Sequence, residues 1–208
     1  CKPLFAASSW VEAPKPKLLD SIYQREDLSR PTLLDGEPVF DAANVIKHNN
    51  DLLYLVSNTG NKTGAEWLER YCKENFGEEY NVHLAENVYA YIHIDTTFVF
   101  LREGLVLLNP TRVNQFNLPE FLYDFDKIWA PEPFATQVLD DWCPASPWLG
   151  MNILPINSKL CMVEEHQTML MKELKRFGIE SVPVKMRHSR TFSGGPHCVT
   201  LDVVREDD

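Results

Sequence analysis

A succession of strand, strand, helix and strand recurs three times along this chain, at a spacing of roughly 50–60 residues, and this pattern restricts the fold more than any other feature. In the first unit Asn44-Val45-Ile46-Lys47 reads as a short strand and His48-Asn49-Asn50 as a turn. Asp51 to Ser57 reads as a second strand. A helix is predicted from Thr63, which has capping-box spacing to Glu66 and precedes Trp67, Leu68, Tyr71 and Cys72 on one face. It ends by Gly77, and Tyr80 to Leu84 returns as a strand. The second unit has strands at Ile92-His93-Ile94, Thr97 to Leu101 and Leu105 to Leu108, with Arg102-Glu103-Gly104 as a turn. A helical stretch near Leu118 to Tyr123 and a strand at Lys127-Ile128-Trp129 complete it. The third has strands at Met151 to Pro155 and Leu160 to Val163, then a helix from His166 to Phe177. Gly178 stands where a helix C′ glycine belongs, and Val182 to Met186 is the returning strand. A last strand is expected through Cys198 to Val204.

No sequence identity links the three units, so the repeat is architectural. Units of this kind cannot bury their faces alone. They fit an α/β ring or propeller, which gathers the loops joining strands near a common axis; a three-layer α/β sandwich is the alternative. Residues 1–208 read as a single domain, with 1–38 an irregular segment marked by Ala13-Pro14-Lys15-Pro16 and Arg30-Pro31.

Charge and cysteine usage narrow the function classes. With 20 Lys and Arg against 30 Asp and Glu, the formal charge is −10, which repels phosphate backbones and argues against nucleic acid as a partner. The densest basic stretch, Lys172 to Lys175-Arg176, looks like a solvated helix face. No apolar run approaches the roughly 18 residues of a membrane span, so no membrane partner is expected. Cys1-Lys2-Pro3 opens no secretory signal, and the missing Met points to a processed chain or a fragment. Five irregularly spaced cysteines form neither a disulfide ladder nor a CxxC metal set, which favours a reducing, cytoplasmic setting and one reactive thiol.

That thiol is Cys198, in Ser193-Gly194-Gly195-Pro196-His197-Cys198. A lone cysteine in a strand is by default structural. Here two glycines let backbone approach a ligand closely, and a loop leading into the strand start can turn the sulfur to a cavity. A thiol needs a base or a cationic neighbour to act as thiolate. In Tyr91-Ile92-His93-Ile94-Asp95 strand alternation sends His93 and Asp95 to one face and the two isoleucines to the core. An exposed His–Asp pair is the equal alternative, and a zinc site at His-x-Asp is the weaker one. Asp41, after Val39-Phe40 and before Ala42-Ala43, suits the orienting member of a Cys–His–Asp set, although an Asp at a strand end is usually a cap. His197 is the rival base, but adjacent strand residues point to opposite faces. His48, His83, His166 and His188 are expected on the surface.

Phe40-Asp41-Ala42-Ala43, Ile92-His93-Ile94-Asp95-Thr96-Thr97-Phe98 and Gly194-Gly195-Pro196-His197-Cys198 together resemble the three signature segments of the amidinotransferase family, in order. Ala13-Pro14-Lys15-Pro16, Val106-Leu107-Leu108-Asn109-Pro110 and Trp148-Leu149-Gly150-Met151-Asn152 extend the resemblance from about residue 10 to 205. It implies a pentein-type α/β propeller of ββαβ modules around a central site. It implies Cys198 as nucleophile, His93 as general acid/base and Asp41 as its orienter. Asp95 would hold the arginine guanidinium, and Arg112 and Ser146 the donor's α-carboxylate. The implied reaction moves the amidino group of L-arginine to an amine through an amidino-cysteine, releases ornithine, and needs no metal or organic cofactor. A homodimer is consistent with it.

Family members also carry roughly one further N-terminal module with a second guanidinium-binding carboxylate, so this chain is expected to be a C-terminal portion. Ala145 and Ile92 stand where the glycine-using member has Ser and Met, which sets glycine in question as acceptor. Hydrolysis of the same intermediate, as in arginine deiminases, and an incomplete or merely binding fragment are the competing functions.

Overall fold

The computed structural model describes residues 37–89, 93–134 and 145–201. The recurring pattern becomes three copies of one unit. The first comprises β1 (Val45–His48), β2 (Asp51–Leu55), α1 (Lys62–Phe76) and β3 (Asn81–Ala85). The second comprises β4 (Phe98–Arg102), β5 (Leu105–Leu108), a 3-10 turn at Glu120–Leu122 in the helix position, and β6 (Asp126–Trp129). The third comprises β7 (Leu154–Asn157), β8 (Leu160–Glu164), α2 (Thr168–Arg176) and β9 (Glu180–Val184), followed by the short helix α3 (Ser189–Phe192).

Each unit forms its own three-stranded sheet, with its second strand in the middle. The first two strands pair antiparallel across a tight turn, and the third pairs parallel to the middle one. A parallel partner cannot be reached by a tight turn, so the chain crosses over, and the helix or 3-10 turn fills the crossover. Three separate sheets are incompatible with one layered sandwich; the architecture is an α/β propeller of ββαβ modules.

The middle strands explain how the modules hold together. In β2, Leu53 and Leu55 join a core with Phe98, Val106 and Leu108 of the second module, while Leu52 and Tyr54 pack on Ala65, Leu68 and Cys72 of α1. In β5, Val106 and Leu108 face the first module, whereas Leu105 and Leu107 join Ile153, Val163, Leu170 and Leu174 of the third. A strand buried on both faces has no polar alternation, hence the unbroken apolar runs. Each fully buried leucine contributes roughly 1.5–3 kcal/mol.

The helix α1 begins earlier than its sequence suggests. Asn61, not Thr63, is the N-cap, accepting from Gly64 N at 2.8 Å. Asn61 wins because it also ties the preceding segment, accepting from Val39 N at 3.1 Å and donating to Glu37 O at 2.6 Å. Gly77 and Gly178 end α1 and α2 with φ of 138° and 77°, as their positions predicted.

Three further departures bear on function. His93 to Thr97 is a turn rather than the end of a strand, and Ile92 lies outside the described residues. The expected strand at Met151 begins only at Leu154, behind a 3-10 helix at Pro147–Met151. Cys198 sits on a turn, not in a closing strand; 202–204, like residues 1–36 of the Pro-rich segment, lie outside the described residues. His48, expected on the surface, stacks on Phe100 at 4.7 Å. No helix among the described residues is long and apolar enough to cross a membrane.

Candidate active site

Five consecutive residues, 93–97, organise the site. Ile94 is fully buried in the core between the first two modules, and its N–H donates to Ala43 O at 2.9 Å. Thr97 N and Phe98 N both donate to Ile94 O, at 2.8 and 3.1 Å, and so turn the chain into β4. The turn splays the residues around this anchor. His93 meets Asp41, Asp95 meets the turn carrying Cys198, and Thr96 and Thr97 meet Arg112.

The cluster at Asp95 is tight. Its Oδ2 accepts from Asn152 Nδ2 at 2.7 Å, His197 Nδ1 at 3.0 Å and Cys198 Sγ at 3.3 Å. Asn152, fully buried, also donates to Cys198 Sγ at 3.0 Å and accepts from Cys198 N at 3.1 Å. The amide thus fixes both backbone and sulfur of the cysteine, which remains solvent-exposed. A Cβ on Gly195 would lie 2.6 Å from Asn152 Oδ1, so only glycine lets the turn come this close. At Gly194 the nearest contact would be an ordinary 3.5 Å.

Electrostatics follow from this packing. Burial alone would raise the Asp95 carboxyl, but the hydrogen bonds from His197 and Cys198 and the charges of His197 and His93 outweigh it, leaving the carboxyl below its usual range. His197 is pushed up to about 9, first by its hydrogen bond to Asp95 and then by one to Cys198, against its own desolvation. At neutral pH the pair is a carboxylate and an imidazolium.

The pair Asp41 and His93 is looser. Asp41 caps the 3-10 turn Ala42–Asn44 through Oδ1, which accepts from Ala43 N at 2.7 Å. Its Oδ2 lies 3.5 Å from His93 Nε2. The capping and the His-facing readings of Asp41 therefore hold together, one oxygen each. Among the described residues no hydrogen bond joins His93 to Cys198.

Arg112 closes the third side. Its Nη1 donates to Thr96 O, Thr96 Oγ1 and Thr97 Oγ1 at 3.1, 2.8 and 2.8 Å, and Nη2 to Ser146 Oγ at 3.3 Å. The guanidinium lies 3.5 Å from the centre of the Tyr89 ring. Burial lowers its pKa, partly offset by Tyr89 and Asp95. Buried Asn109 sets the approach, its Nδ2 donating to Thr96 O at 2.9 Å while its Oδ1 accepts from Thr111 N, also at 2.9 Å. Ser146 in turn caps the 3-10 helix that delivers Asn152, accepting from Trp148 N at 3.2 Å.

The structure thus brings Cys198 to Asp95, His93 to Asp41 and Arg112 to Ser146. Sequence reasoning missed Asn152 and Tyr89 and rejected His197. Asn152 was visible only as the end of a resembling segment. His197 was set aside because a strand would point it away, and the turn reverses that. Among the described residues no group of three or more His, Cys, Asp or Glu side chains could hold a metal ion.

No family model matches the chain. Among curated proteins, inosamine-phosphate amidinotransferase 1 of Streptomyces griseus is 44% identical over 200 residues, covering 96% of this chain and 56% of the relative. The L-arginine:L-lysine amidinotransferase of Pseudomonas savastanoi pv. phaseolicola is 32% identical over 209 residues, covering 95% of this chain and 55% of the relative. The chain therefore spans about half the length of the curated relatives it matches. A solved inosamine-phosphate amidinotransferase from Streptomyces griseus superposes with a TM-score of 0.82 at 44% identity, over 94% of this chain and 55% of that one. With that identity sustained across nearly all its residues and the same fold beneath it, the chain is homologous to the amidinotransferases along almost its whole length.

Proposed function

We propose that this chain takes the amidino group of L-arginine onto Cys198 and passes it to an amine acceptor. Asp95 grips the donor guanidinium, Arg112 and Ser146 its α-carboxylate, and Asp41 orients His93. Guanidinium is a poor electrophile because its charge is delocalised; a carboxylate clamp localises charge and aims the central carbon at sulfur. As its thiolate, Cys198 forms a bond from Sγ to that carbon as the bond to the side-chain nitrogen breaks. The imidazolium of His93 gives the departing nitrogen its proton, and ornithine leaves. The acceptor nitrogen then attacks the amidino carbon, its proton passes to His93, and the thiolate departs. The sequence is covalent catalysis with one acid/base group working in both directions.

The observation that carries this reading is the 3.3 Å separation of Asp95 Oδ2 from Cys198 Sγ. A guanidinium held by that carboxylate lies within reach of an exposed thiol. The name of the L-arginine:L-lysine relative supports arginine as donor. The gap between His93 and Cys198 suits an acid/base that serves atoms of the substrate rather than the thiol.

The test is incubation with arginine, with and without a primary amine, followed by mass analysis of Cys198 and assay of small products. An amidino adduct on Cys198, with ornithine turnover only when amine is added, is expected. Citrulline without amine would reassign the chain to hydrolysis. No adduct, or full turnover by Cys198→Ala, would end the reading.

A further inference from the structure

We propose that His197 is a positioning residue for this reaction: its imidazolium holds Asp95 through Oδ2 and turns the carboxylate's other edge to the guanidinium. The inference deepens the arginine-donor reading and rests on it.

The geometry is specific. Among the described residues every hydrogen bond to the Asp95 carboxylate converges on Oδ2, from Asn152, His197 and Cys198. The Asp95 side chain is 9% exposed, so its charge has little water to lean on. Asn152 is neutral and can fix orientation without supplying charge. Among the described residues, four titratable or charged groups face Asp95: His93, Arg112, His197 and Cys198. His93 stands against Asp41, and Arg112 is engaged by Thr96, Thr97 and Ser146. His197 is the cation in hydrogen-bonding contact with the carboxylate. Its side chain and that of Cys198 reach the same oxygen because a turn, unlike a strand, lets neighbouring residues converge. The turn can seat both because Gly195 packs against Asn152 without a Cβ. His197 thus couples the thiol's loop to the carboxylate that would present the substrate.

Two measurements on the whole chain test this. The first needs no turnover: NMR titration of labelled histidine, with His197 assigned by its absence in His197→Asn. The ring should stay protonated past pH 8, with a midpoint near 9, and fall toward about 6.5 in Asp95→Asn. A wild-type midpoint near 6.5 would overturn the pairing. The second compares alkylation of Cys198 by 2-chloroacetamidine, a cation, with the neutral 2-chloroacetamide. Wild type should prefer the amidinium. His197→Ala should cut that preference about tenfold and move its acid limb, where the Asp95 carboxylate is protonated, to higher pH. His197→Asn, which keeps an N–H donor without the charge, should fall between. Unchanged preference and limb in His197→Ala would overturn the role. Should His197→Ala fail to fold, the Asp95→Asn titration still decides the pairing. A wild-type thiol with no amidinium preference would instead fail the reading of Asp95 as guanidinium seat, and the titration would judge His197 on its own.

Discussion

The two carboxylates of the site are held in opposite ways. Asp95 is buried, takes three hydrogen bonds between 2.7 and 3.3 Å on one oxygen, and sits beside an imidazolium. Asp41 is 46% exposed, spends one oxygen on a cap, and meets a 35% exposed His93 at 3.5 Å. The difference matches the demands of the proposed chemistry. A group that must present a guanidinium to sulfur needs fixed geometry and fixed charge, which burial and convergent donors provide. A group that carries protons needs room to change partners, which a half-exposed ring at long range retains.

Removing one residue from each side should separate these roles. The largest effect is expected from His93→Ala, a loss of about 10²–10⁴-fold in amidino transfer with little change in amidinium preference at Cys198. Asp95→Asn should instead abolish that preference. If His93→Ala and Asp95→Asn gave the same alkylation pattern, the division of labour would be wrong. Gly195→Ala should come next. Its Cβ would press on Asn152 Oδ1, breaking the Asn152–Cys198 contacts and costing about 1–3 kcal/mol in denaturant unfolding. The loose pair should be untouched in that variant, so an intact thiol cluster would show that the turn tolerates more than its geometry suggests. On the loose side, Asp41→Asn should slow transfer yet keep stability, because Asn caps as well as Asp. Asp41→Ala should slow it and cost about 1 kcal/mol as well. Equal stability of the two variants would remove the cap from the account.

The smallest effect is on stability against pH. The folded value of His197, about 9, exceeds its unfolded value of about 6.5. Its contribution is therefore full below about 6.5 and is lost as pH rises through about 9. Because the ring is 44% exposed, solvent screens much of it. Wild-type Tm should fall from pH 7 to 10 by about 1–2 °C more than that of His197→Asn.

Much of the fold was legible along the chain. The runs Leu52 to Leu55 and Leu105 to Leu108 could be read as strands because burial on both faces leaves nothing polar to break them. Gly77 and Gly178 marked helix ends because φ above zero excludes most side chains. The start of α1 was misread because Thr63 and Glu66 carry a capping pattern, whereas Asn61 also bonds Glu37 and Val39, partners no local pattern reveals. The residue types of the candidate site were legible, since Asp41, His93, Asp95 and Cys198 all lie in the resembling segments, but the contacts among them were not. Strand alternation links only His93 and Asp95, and residues 93–97 are a turn.

The sequence by itself determined the module, its threefold recurrence and the list of chemically able side chains, because hydrophobic period and glycine placement are local properties. Which of those side chains share an atom was decided by tertiary structure alone. Ile94 is drawn into a core made by two modules, and that anchor alone splays His93 and Asp95 toward different partners. Asn152 and Cys198 meet across 46 positions of chain. His197 joins them because its turn, not its neighbour in sequence, sets its direction. Convergence of this kind depends on packing between distant segments, and no periodicity along the chain encodes it.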